Sequence, residues 1–116
     1  MNGDLTKVLD RIKRFRDARD WMQFHDPKNM AISIIIEASE LLEHFQWKKK
    51  DEVETHIRAN LSKVEEEIAD IAIYLFELAD NLGIDITEAM NKKITKNEAK
   101  YPVESSKGNA IKYDQI

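Results

Sequence analysis

Residues 57–82 read IRANLSKVEEEIADIAIYLFELADNL. Apolar residues fall at Ile57, Leu61, Val64, Ile68, Ile71, Leu75, Leu78 and Leu82, alternating in fours and threes. That alternation is the seam of a helix packed against other helices. It predicts one long helix over about 51–82, stopped by Gly83, a residue suited to the left-handed turn beyond a helix end. Working back, Gln46-Trp47-Lys48-Lys49-Lys50 puts cations near the negative pole of a preceding helix. That second helix starts at Asp26-Pro27, cap and first turn, and carries Met30, Ile34, Ala38, Leu41 and Phe45 as its core stripe. Leu5, Val8, Leu9, Ile12 and Phe15 give a first helix capped by Asp4. Downstream, Asp85-Ile86-Thr87-Glu88 has the form of a capping box. It opens a fourth helix that runs to about Lys100 and ends at Tyr101-Pro102. The expected fold is all-α and four-helix-bundle-like, one domain over residues 1–102 followed by a polar, irregular tail over 103–116.

Composition agrees with this reading. In a chain of 116 residues only three are Gly and two Pro, too few for a turn-rich fold. One domain of this length buries one modest core. The absence of Cys excludes a disulfide framework and a thiolate zinc site. A net charge of −4 argues against general affinity for a nucleic-acid polymer, which requires a basic face. With no apolar run of membrane-spanning length and no signal-peptide pattern after Met1, a cytoplasmic protein without membrane partners is expected.

The third helix has a second apolar face. At about 100° per residue, Ala69, Ala72, Ile73 and Phe76 lie largely off the seam. Large apolar patches are uncommon on monomers. A homo-oligomer, its second chain covering this face, is therefore expected over a monomer with a wide core stripe.

Glu37 and Glu40 are three residues apart and project from one side of the second helix, on the flank of its stripe, with His44 between them in angle. Glu67 and Asp70 repeat the arrangement on the third helix, with Tyr74 alongside. Antiparallel packing of the two seams brings four carboxylates face to face. Ionised carboxylates at such range repel and resist burial, and a divalent cation resolves both problems. An all-oxygen ligand set of Glu37, Glu40, Glu67 and Asp70 favours Mg²⁺ or Mn²⁺ over zinc. A di-iron bundle would use Glu-x-x-His pairs, which this chain lacks. Either acidic pair on its own is equally compatible with a solvated face.

Trp21, Phe24 and His25 lie in the break before the second helix, and Trp47 lies just past its end. Flat aromatics in these places either plug the bundle ends or stack on a nucleobase. A solvated loop position or a hydrogen bond to a base edge suits His25. Lys93, Asn97, Lys100 and Tyr101 form a polar stripe on the fourth helix, suited to phosphate oxygens or simply to solvent.

Four motifs occur in order: Arg19-Asp20-Trp21-x-x-Phe24-His25-x-Pro27-x-Asn29; Glu37-x-x-Glu40 with Phe45-Gln46-Trp47; Glu67-x-x-Asp70 with Tyr74-Leu75; and Lys93-x-x-x-Asn97-x-x-x-Tyr101-Pro102-Val103. In order and spacing the chain resembles the MazG-like all-α nucleotide pyrophosphohydrolases, in particular their dCTP pyrophosphatase branch, from about Arg16 to Tyr113. The resemblance implies hydrolysis of a (d)NTP between its α- and β-phosphates. It implies Mg²⁺ ligands at Glu37, Glu40, Glu67 and Asp70, and base recognition at Trp21, His25 and Trp47. It places Tyr74, Lys93, Asn97 and Tyr101 at the phosphates or pocket wall, in a dimer or tetramer. Glu37 or Glu40 is then expected to orient the attacking water and Lys93 to stabilise the leaving pyrophosphate, with cytosine the expected base. Many members carry a further Glu where this chain has Ile36, so a dedicated carboxylate base is missing there. The alternative is a non-catalytic helical nucleotide-binding or oligomerisation module.

Overall fold

The structure is a computed structural model that describes residues 3–110. It contains α1 (Gly3–Ala18), a 3₁₀ turn (Met22–Phe24), α2 (Pro27–Glu43), α3 (Lys50–Asn81), α4 (Ile86–Lys100) and α5 (Val103–Ser106). The described residues form no strand, and the all-α reading is correct. The caps act as their residue types require. Asn29 N–H donates to Asp26 Oδ1 at 3.0 Å, with Pro27 at the first turn of α2. Glu88 N–H donates to Asp85 Oδ1 at 3.1 Å to open α4. Gly83 follows α3 at φ +72°, its N–H bonded to the Asp80 carbonyl at 3.0 Å. The segment expected to be irregular begins with the single turn α5; residues 111–116 lie outside the described residues.

α3 is the spine. α2 packs along it most extensively, α1 packs against its C-terminal half, and α4 meets it only slightly. Both larger packings are antiparallel, because contacts ascend on one helix as they descend on the other. Glu37 lies with Glu67 and Asp70 while His44 meets His56; Lys13 meets Asp80 while Arg16 meets Glu77. α3 is not the uninterrupted helix its seam predicts. Asn60 leaves helical geometry at φ −132°, ψ 29°. Its side-chain N–H₂ bonds the His56 carbonyl at 3.1 Å, competing with the backbone for an acceptor of the helix ladder.

The seam also divides in two. Val64 is buried and Ile57, Ile71 and Leu78 are partly buried, whereas Leu61, Ile68, Leu75 and Leu82 are exposed. Each set recurs every seven residues, so one row faces α1 and α2 and the other faces away from them. On the predicted second face Ile73 is exposed, and Ala72 and Phe76 are half-buried. The described core is correspondingly small: Leu9, Met30, Val64 and Ala79, with the buried charged pair Arg16 and Glu77.

Candidate active site

Antiparallel packing of α2 on α3 brings the acidic pairs together. Carboxylate oxygens of Glu37, Glu67 and Asp70 all lie within 4.8 Å of one another. Glu40 stands beside them and bears on the ionisation of both Glu37 and Glu67. Burial, then Glu40, Asp70 and Glu67, push the Glu37 carboxyl up to about 7. Burial and then Glu40 push Glu67 up as well, against the opposing influence of His44. The Tyr74 phenol is raised by burial and then by Glu37, Asp70, Glu77 and Glu40.

Glu37 Oε2 and Glu67 Oε2 are buried without a hydrogen-bond partner. Two orphaned carboxylate oxygens in one acidic cluster are the configuration that a hard cation satisfies. Behind Glu67, His44 Nε2 lies 3.8 Å from Oε1, and His44 Nδ1 lies 2.8 Å from His56 Nε2. Asn60 Nδ2 in turn lies 3.3 Å from His56 Nδ1. This file of side chains ties the kink of α3 to the orientation of Glu67, as outer partners of metal-binding carboxylates do.

A cavity of about 580 Å³ opens next to the cluster, between α1, the 3₁₀ turn and α3. Asp70 and Tyr74 line it together with Phe15, Trp21, His25 and Glu77. The backbone after α1 sets Trp21 by donating its N–H to the Arg16 carbonyl at 3.1 Å. The indole then meets Phe15 edge-on at 5.6 Å, and the Arg19 guanidinium lies 3.7 Å over the Phe15 ring. His25 Nδ1 lies 2.8 Å from Glu77 Oε2, with the His25 ring edge-on to Tyr74.

The sequence-predicted residues thus separate into two groups. Glu37, Glu40, Glu67 and Asp70 converge, and Trp21, His25 and Tyr74 share the adjoining cavity. Trp47 is 87 % exposed on the α2–α3 connection. Lys93 and Asn97 sit on the exposed length of α4 and Tyr101 caps its C-terminal end; none of the three lines the cavity among the described residues. Sequence reasoning missed Arg16, Glu77 and Asn81. The available signal was spacing: Asp70, Tyr74, Glu77 and Asn81 run in fours and threes, so the polar stripe begun by Asp70 continues two turns further.

These elements define an all-α domain in which two facing acidic helices form an oxygen-rich cluster able to hold a divalent cation. Residues 32–116 match the MazG-like family, and the chain belongs to that family. The bovine (Bos taurus) dCTP pyrophosphatase 1 is 38 % identical over 115 residues, covering 94 % of this chain and 68 % of that protein. The human (Homo sapiens) dCTP pyrophosphatase 1 is 33 % identical over the same span. A crystal structure of a pyrophosphatase from Archaeoglobus fulgidus superposes with a TM-score of 0.83 at 46 % identity, covering 88 % of this chain and 95 % of that one.

Proposed function

We propose that this protein hydrolyses a nucleoside triphosphate, dCTP or a modified dCTP first, to the monophosphate and pyrophosphate with Mg²⁺ as cofactor. Its enzyme class follows from family and relatives: it is a nucleoside triphosphate pyrophosphatase, a hydrolase. The observation carrying the finer reading is the convergence of Glu37, Glu67 and Asp70, with orphaned oxygens, on the edge of an aromatic-lined cavity.

Glu37, Glu40, Glu67 and Asp70 would hold the Mg²⁺. Once bound, the ion supplies charge neutralisation at the phosphates and a more acidic water. The chain's residues do the rest. Trp21 offers a stacking face, and Phe15 and Ile73 keep the base end of the cavity apolar. Glu37 or Glu40 orients a water for in-line attack on the α-phosphorus. Ile36 stands where a further carboxylate would serve as base, which leaves this task to the two glutamates. Lys93, Asn97 and Tyr101 lie on an exposed face of a helix that barely touches the rest of the chain. We assign them to the phosphates, with Lys93 stabilising the leaving pyrophosphate, and Trp47 to the base, each reaching its ligand across a subunit contact.

A panel of dNTPs and NTPs with Mg²⁺, products separated, tests the reading. Release of dCMP with pyrophosphate is expected. Orthophosphate as the first product, or dCTP bound but left intact, contradicts it; the latter is the outcome for a nucleotide-binding module without turnover. Glu40→Gln and Asp70→Asn should each lower kcat/KM by roughly a hundredfold or more, since a metal's electrostatic share of a barrier is several kcal/mol. Their circular dichroism should keep the helical signal. Activity retained in both variants would refute the ligand assignment.

A further inference from the structure

Arg16 and Glu77 are the only charged residues among the buried set of described residues, 8 % and 2 % exposed, and both line the cavity. A buried ion pair contributes little net stability and is often replaceable by apolar residues. Its place in the wall of a ligand cavity calls for another explanation.

The contacts specify one. Glu77 Oε2 accepts from Asn81 Nδ2 at 3.0 Å and lies 3.7 Å from the Arg16 guanidinium. Arg16 also donates to Asn81 Oδ1 at 3.1 Å, so Arg16, Asn81 and Glu77 lock one another. His25 Nδ1 sits between the two Glu77 oxygens, at 3.1 and 2.8 Å. An ionised carboxylate only accepts hydrogen bonds. Nδ1 must therefore carry a proton and donate it. In a neutral imidazole that leaves Nε2 as a bare acceptor. No hydrogen bond to Nε2 occurs among the described residues, and the ring lines the cavity.

Position fits a nucleotide. Asp70 and Glu77 are seven residues apart on α3, about 10 Å along its axis. That is close to the reach from an α-phosphate to the far edge of its base. A nucleotide whose phosphates lie at Asp70 would bring its base edge to His25. Cytosine presents the N4 amino group, a donor, on this edge, where uracil and thymine present the O4 acceptor. Nε2 of the neutral Nδ1–H ring pairs with the first and opposes the lone pairs of the second, whereas an imidazolium would do the reverse.

We infer that Glu77, held by Arg16 and Asn81, is a positioning residue that fixes the His25 tautomer and thereby selects amino-bearing over keto-bearing pyrimidine nucleotides. The inference rests on the pyrophosphatase reading of the same cavity. It makes base choice a property of α1 and α3, distinct from the aromatic stacking that any base satisfies.

Two measurements test it. Long-range ¹H–¹⁵N spectra of the histidine rings in the wild type should show His25 protonated at Nδ1 and bare at Nε2. The kcat/KM ratio of dCTP to dUTP with Mg²⁺ should favour dCTP in the wild type. It should fall by at least about tenfold in Glu77→Gln, equivalent to about 1.4 kcal/mol, because an amide accommodates either tautomer. The ratio is insensitive to any loss of folded protein. A wild-type ring protonated at Nε2 overturns the inference, even if the variant fails to fold. So does an unchanged ratio in an active variant, and in that case the pyrophosphatase reading survives. A wild type that hydrolyses neither nucleotide removes the dCTP assignment and this inference together.

Discussion

Glu37 carries the cost of assembling the acidic site. Its carboxyl is raised to about 7 by burial and by Glu40, Asp70 and Glu67. The folded metal-free protein therefore binds a proton there that the unfolded chain has released. Between the ordinary carboxylate range near 4.5 and about 7, stability falls as pH rises. The raised Glu67 adds in the same direction. Metal-free protein should thus melt at a higher temperature at pH 5 than at pH 8. Glu37→Gln should flatten the trend, and so should saturating Mg²⁺. A metal-free protein that gains stability from pH 5 to pH 8 would show that repulsion among these acids is not the controlling term. Much of this site was legible before the fold was known, because Glu37, Glu40, Glu67 and Asp70 each sit on the flank of a periodic stripe. Glu77 was legible only as a continuation of the polar stripe from Asp70; that it is buried was not, because nothing in an acidic helix marks burial until α1 and Arg16 are laid against it.

Among the elements, α2 must be held in register for Glu37 to meet Glu67, and Asp26 begins that helix. Its side chain takes the Asn29 N–H and, at 2.6 Å, the Asn29 side-chain amide. Asp26→Ala should cost about 1 kcal/mol in chemical denaturation, the usual worth of an N-cap; no change would mean that packing alone sets the start of α2. Caps and stops of this kind follow from local chemistry, so Asp26-Pro27, Gly83 and Asp85 were readable in sequence. The break at Asn60 was not. It depends on the Asn60 side chain bonding back to His56, whose ring is itself engaged by His44 from α2. A helix whose seam continues on both sides of the break hides it from periodicity.

At the scale of the whole molecule, the division of the α3 seam is the dominant feature. Leu61, Ile68, Leu75 and Leu82 are 59, 53, 41 and 52 % exposed on a single chain. Monomers seldom expose a row of four large apolar residues on one helix, and we propose that a second copy of this chain covers it, in the homodimer or homotetramer expected from sequence. The seam predicts that α3 packs, but its even spacing gives no means of telling which row packs inside the chain and which stays exposed on it. Ile68→Lys or Leu75→Lys should shift the sedimentation profile toward monomer. Activity should fall with it, because Lys93, Asn97, Tyr101 and Trp47 are assigned to ligands across the subunit contact. A wild type that sediments as an active monomer at micromolar concentration would contradict this. The account as a whole depends on four carboxylates from α2 and α3 gripping one hard cation. The most direct test is titration of the purified protein with Mn²⁺, read by electron paramagnetic resonance as loss of the free-ion signal. The account predicts saturable binding by the wild type and its loss in Glu67→Gln and Asp70→Asn. Binding of equal strength in those variants would contradict it.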